Sequence, residues 1–203
     1  MNRHHKYWFH LILSLVTCLF VINASHFSLP QLPAIAQSVE SNQPLAFRVA
    51  QHLQAAQAVT QAPNARSQKF VAVMTRDSVV PNAVGTSAFG AAGAVLTGNR
   101  LIIRGDFSNL SSPLRDFATD PTNPPNPNIT SAVHIHQGAA TANGPFQLAL
   151  TVQPAADQRS GRLQGDYTLS DEQLQALANG MLYVDLHTKQ NRGGELRGIL
   201  KPY

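Results

Sequence analysis

Three histidines carry the metal chemistry that this 203-residue chain can offer. Of its eight histidines, His4, His5, His10 and His26 fall in or just after an N-terminal apolar segment and His52 in a polar connector. That leaves His134, His136 and His187 for the folded part. The first two stand two apart in SAVHIHQGAATANGP, on what reads as a β-strand running into a glycine-bearing turn. Residues i and i+2 of a strand share a face, with Cα atoms about 6.6 Å apart. Imidazoles at that spacing can converge on one ion at about 2.0–2.1 Å from each nitrogen. A third imidazole from an adjacent strand completes an all-nitrogen set with an open position, suited to Cu(II) or Zn(II) and tighter for copper. Ligation needs neutral rings, so affinity should fall as pH drops through about 6.5.

Alternation supplies the neighbours. Val133 and Ile135 face away from His134 and His136. In MLYVDLHT, Leu182, Val184 and Leu186 occupy one face and Tyr183, Asp185 and His187 the other; in GELRGIL, Leu196 and Leu200 oppose Glu195 and Arg197. If these strands are neighbours, their polar sides merge into one outward-facing patch. In it His134, His136 and His187 are the candidate metal ligands. Tyr183, Asp185, Glu195 and Arg197 have supporting or structural roles, with Asp185 placed to orient a ring. The alternative is a purely structural patch, in which the imidazoles only hydrogen-bond to strand ends or to Asp185 and Glu195.

The elements that position these groups are short. KFVAVMT, SAFGAAGAVLTGNRLIIRGDFSNL, SAVHIHQG, FQLALTV, RLQGDYTL, MLYVDLHT and GELRGIL are strand-like runs between turn residues, and Gly98-Asn99 marks a hairpin. This pattern is all-β, a sandwich or barrel. Two stretches interrupt it. LSSPLRDFATDPTNPPNPNIT, with prolines 113, 121, 124, 125 and 127, cannot pair within a sheet and should form a long surface loop, a binding lip or plain surface variation. SDEQLQALANG has the Ser170/Gln173 capping box and a Gly180 stop of one short crossover helix.

Upstream, residues 37–67 are a Gln/Ala-rich linker, either a mobile stalk or one helix capped by Ser41 or Asn42 with Pro44 in its first turn. Leu45, Val49, Leu53 and Ala56 would share a face of that helix. Residues 1–36 read as a signal peptide: Arg3 and Lys6, an apolar run to about Ile22 that is short for a bilayer span, then Ala34-Ile35-Ala36 as a cleavage site. An uncleaved membrane anchor is the alternative, and a lipoprotein-type tether at Cys18 a lesser one, since Thr17 stands where a small residue is expected. Export, to periplasm or medium, and a bacterial origin are the expectation. Removing Arg3 and Lys6 from 15 basic residues against 11 acidic ones leaves a net charge of +2. No Lys/Arg cluster suited to nucleic acid remains. Cys18 is the sole cysteine, so the mature chain has no disulfide, thiolate nucleophile or sulfur ligand. Gly85–Gly90 misses a nucleophile elbow by one residue, no phosphate-binding glycine loop occurs, and no catalytic residue is nominated.

The ordered pieces FVAVMTRDSVVPNAVGTSAFGAAG, LTGNRLIIRGDFSNLSSP, AVHIHQGAATANGP, GDYTLSDEQLQALANGMLYVDLHT and GGELRGIL resemble the CHRD domain, the module repeated in chordin and found singly in microbial exported proteins. The resemblance covers residues 68–203, and the family pattern falls on His134, His136, Gly138, Gly144, His187, Gly194, Glu195 and Gly198. It implies an immunoglobulin-like or superoxide-dismutase-like Greek-key β-sandwich. It also implies a non-catalytic extracytoplasmic module for an unknown extracellular protein or small ligand. VHIHQGAATANGP looks like the copper-binding strand of Cu/Zn superoxide dismutase, and His187 falls where a later copper ligand would. The bridging histidine, the zinc loop and the cysteine pair of that enzyme have no counterpart. The second implied reading is a mononuclear copper or zinc site with a redox or metal-handling role.

Overall fold

The computed structural model describes residues 43–60 and 66–203; the expected signal peptide and the caps Ser41 and Asn42 lie outside the described residues. Among the described residues, ten strands form two antiparallel sheets. The six-stranded sheet contains β1 (Ser67–Met74), β2 (Phe89–Thr97), β3 (Arg100–Ser108), β6 (Thr151–Pro154), β7 (Gly161–Thr168) and β10 (Lys201–Pro202), in the order β10-β1-β2-β3-β7-β6. The four-stranded sheet contains β4 (Val133–Gln137), β5 (Phe146–Ala149), β8 (Leu182–Leu186) and β9 (Leu196–Ile199), in the order β5-β4-β8-β9.

The sheets pack as a sandwich over one apolar core. Phe70, Met74, Leu101, Ile103 and Phe107 come from the larger sheet and Val133, Ile135, Val184, Leu186 and Leu196 from the smaller. Those last five are residues that alternation assigns to the core. The β2–β3 hairpin turns at Gly98, which takes φ 60°, and pairs Thr97 with Arg100. Helix α2 (Asp171–Ala178) closes the expected capping box: the Ser170 hydroxyl accepts from the Gln173 N–H, and the Ser170 N–H donates to the Gln173 side chain. It carries the chain from β7 in one sheet to β8 in the other.

The upstream segment departs from a stalk. Residues Leu45–Val59 form α1, preceded by Pro44 and without a side-chain cap. Val49, Leu53 and Ala56 pack on Ala91, Val95 and Ile102, on the face of the larger sheet that points away from the main core. Leu45 is exposed instead of sharing that face. A Cβ on Gly93 would lie 2.8 Å from the Leu53 nitrogen, so the glycine is what lets the helix backbone approach this closely. Arg48 is buried and pairs with Asp106 of β3, and the His52 ring N–H donates to the same carboxylate at 2.7 Å. His52 therefore belongs to the folded structure and not to a connector. No helix among the described residues is long and apolar enough to cross a membrane.

Candidate metal centre

Register brings the candidate residues together. β4, β8 and β9 are adjacent, and their pairing sets His134 opposite Asp185, Asp185 opposite Arg197, and His136 opposite Tyr183. His187 follows β8 directly, its N–H bonded to the Ala132 carbonyl. The three histidines thus reach one place from two neighbouring strands. One ring nitrogen from each lies within 4.8 Å of the others.

The patch is not outward-facing. His134, His187, Tyr183, Asp185, Glu195 and Arg197 are all buried, and only His136 is half-buried. Strand alternation gives the face a side chain points to, but not what covers that face. Here the cover comes from two loops and from the first residue of β5. Phe117, in the proline-rich loop, lies 5.1 Å from the His134 ring and 5.9 Å from that of His187. Phe146 lies 5.4 Å from His134 and 6.2 Å from His136. The 138–145 turn folds onto the end of β4, and Gly144 permits it: a Cβ there would fall 1.8 Å from the Gln137 oxygen.

Each imidazole donates to a backbone carbonyl: His134 Nε2 to Ser131 (2.6 Å), His136 Nδ1 to Gly144 (3.0 Å) and His187 Nδ1 to Arg192 (3.0 Å). A carbonyl can only accept, so the nitrogen facing it carries the proton and the other nitrogen keeps its lone pair. The lone pairs fall on Nδ1 of His134 and Nε2 of His136 and His187. Those two Nε2 atoms are buried with no hydrogen-bond partner. A buried polar atom without a partner is costly, which marks the spot as one built for something other than packing.

Burial dominates the electrostatics. It lowers the His134 pKa to about 3, helped by repulsion from His187, and the His187 pKa to about 4, and it also lowers that of His136. The rings of His134 and His187 therefore stay neutral well below pH 6.5. The expected loss of ligand capacity through that pH is displaced to stronger acid. For His52, burial and the adjacent Arg48 guanidinium likewise depress the pKa, to about 4.

The supporting residues divide into two groups. Asp185 does not orient a ring; both its oxygens accept from Arg197 at 2.7 Å. Arg197 also donates to the Ala142 carbonyl and to Asn143 Oδ1, and its guanidinium lies 4.2 Å over the Tyr183 ring. Tyr183 stacks on His136 at 5.4 Å, and its hydroxyl oxygen accepts from the Gly144 N–H. Asp185, Arg197 and Tyr183 thus hold the turn whose Gly144 carbonyl fixes His136. Glu195 lies apart from the rings, accepting from Thr86, from Ser111 twice, and from Thr188 and Asn191. Burial pushes its carboxyl up, but these donors outweigh burial and leave it below the ordinary range.

Alternation did not reveal Phe117, Phe146, Arg115 or the ring acceptors at Ser131, Gly144 and Arg192. Arg115 sits over Phe117 at 4.3 Å and donates to Asp120 and to the Arg192 carbonyl that also receives His187. The available signal was an aromatic residue in an otherwise polar, proline-rich loop. That loop also lines a cleft of about 420 Å³ with Phe117, Pro121, Pro125, Pro127, Ile129 and Ser131.

No curated protein and no solved structure matches the chain. The CHRD domain profile matches residues 70–200, from β1 to the end of the smaller sheet. On that match, this chain belongs to the CHRD domain family.

Proposed function

We propose that this chain is a non-catalytic, exported CHRD module that binds one metal ion, copper ahead of zinc, on Nδ1 of His134 and Nε2 of His136 and His187. The observation that carries this reading is the set of converging lone pairs: three rings with tautomers fixed by backbone acceptors, two of them presenting buried nitrogens without partners. One ring nitrogen of each histidine lies within 4.8 Å of the others, and an ion held at about 2.0–2.1 Å from each needs them about 1 Å closer. Neutral nitrogen donors suit copper and zinc over calcium or magnesium. The resemblance of VHIHQGAATANGP and of the position of His187 to the copper ligands of a superoxide-dismutase-like Greek-key sandwich points the same way.

The ion would be held or handed on. No side chain is assigned to bond making, and export to periplasm or medium is part of the proposal, supported by the signal-like character of residues 1–36. A second reading rests on the cleft beside Phe117, which offers an extracellular protein or small ligand an apolar, proline-edged site with or without metal. Isothermal titration of the purified protein with Cu(I), Cu(II) and Zn(II) tests the first reading. Stoichiometric binding of at least one ion, abolished in His134→Ala and His187→Ala, supports it. If all three ions give no heat beyond dilution, the metal reading is lost.

A further inference from the structure

The histidine site has an unusual balance of charge and solvent. Its three donors are neutral imidazoles. The carboxylate on the same strand face, Asp185, has both oxygens engaged by Arg197, so that pair adds no net charge beside the rings. An ion placed there keeps nearly its full charge in a buried setting, and the cost of burying an ion rises with the square of that charge. A monovalent ion is favoured over a divalent one on this ground alone.

Coordination number argues in the same direction. Cu(II) and Zn(II) on three imidazoles take a fourth ligand, ordinarily water, whereas three donors saturate Cu(I). The Nε2 atoms of His136 and His187 are shut off from solvent. Phe117 packs against the rings of His134 and His187, and Phe146 against those of His134 and His136. Phe117 is held there from outside: Arg115 packs over it and is fastened to Asp120, to the Pro121 carbonyl and to the Arg192 carbonyl, while Arg192 itself pairs with Asp120. The proline-rich loop is thus strapped to the segment after His187 and carries an aromatic cover for the rings.

We propose that the triad selects copper in its cuprous state, three-coordinate, and that Phe117 enforces the choice by excluding water from the fourth position. This rests on the metal-binding reading and narrows it to one ion and one oxidation state. An apolar, dry shell acts on a metal through solvent access and local dielectric.

Two competition titrations on the purified protein test it. Cu(I) affinity is measured against bicinchoninate under argon with ascorbate, and Cu(II) affinity against nitrilotriacetate in air, for the wild type, Phe117→Ala and Phe117→Leu. The wild type should prefer Cu(I) at least 100-fold. Phe117→Ala should narrow that ratio about tenfold, a fall of about 59 mV in the one-electron potential of the bound copper. Phe117→Leu, which keeps an apolar cover and guards against a folding artefact, should leave the ratio near the wild-type value. Cu(II) or Zn(II) bound by the wild type as tightly as Cu(I) would overturn cuprous selection while leaving metal binding intact. A ratio unchanged in a folded Phe117→Ala protein would overturn the role of Phe117. Binding of no ion would overturn both this proposal and the metal reading beneath it.

Discussion

At the scale of single residues, the candidate site is set by which atom of each side chain is already spoken for. His134, His136 and His187 were legible because strand periodicity and residue type suffice to nominate them. Their tautomers were not, because the acceptors are backbone carbonyls of Ser131, Gly144 and Arg192, whose positions depend on turns that no side-chain pattern encodes. Glu195 shows the same limit. Its parity places it with Arg197, yet it stands one residue before β9 and turns to the loops, where every partner is a donor. In Glu195→Gln the amide NH2 would face donors in place of an acceptor. We expect a loss of about 2–4 kcal/mol in a urea unfolding curve; a loss below about 0.5 kcal/mol would show that the loops rearrange around the amide.

At the scale of elements, β2 explains why the upstream segment is docked. FGAAGAVLT has no polar alternation, which is the signature of a strand covered on both faces. Ala92, Ala94 and Leu96 enter the main core while Ala91 and Val95 meet α1. That lack of alternation, together with Gly93, was the available sign that something would lie on the outer face; the polar composition of α1 concealed what. Two predictions belong here. Gly93→Ala places a methyl against the Leu53 backbone and should cost about 1–3 kcal/mol by thermal or urea unfolding. An unchanged midpoint would mean that α1 shifts freely. Asp106→Asn leaves the buried Arg48 guanidinium without its counter-charge and replaces one of the two oxygens shared by Arg48 and His52 with an NH2 donor. Hydrogen exchange should then accelerate at least tenfold in α1 while the β2–β3 amides keep their protection; uniform acceleration across both would show that helix and sheet open as one unit.

At the scale of the whole molecule, the sandwich was readable from its strands and turns, because short apolar runs bounded by Gly, Asn and Pro leave few other ways to bury a core. The division into six and four strands was not, since it depends on the β7–α2–β8 crossover and on β10 returning to β1. Acid should act on the molecule through its buried histidines. Folded values of about 3 for His134 and about 4 for His52 and His187 lie below the unfolded 6.5, so the unfolded chain binds more protons. Their contribution is complete above pH 6.5 and is lost as pH falls toward 4. At pH 5 each of these three costs on the order of 2 kcal/mol relative to pH 8. Urea midpoints should therefore drop steeply between pH 7 and 5, and a flat profile would contradict neutral buried rings. The most direct test of the metal site is retention. The wild type, His136→Ala, His187→Ala and His52→Ala are each mixed with one equivalent of copper, with and without ascorbate, then desalted and assayed for metal. We expect close to one copper per chain in the wild type and His52→Ala under at least one of the two conditions, and under a tenth of that in folded His136→Ala and His187→Ala. Loss of copper from the wild type under both conditions, or its retention by the two site variants, would contradict the triad as a metal centre.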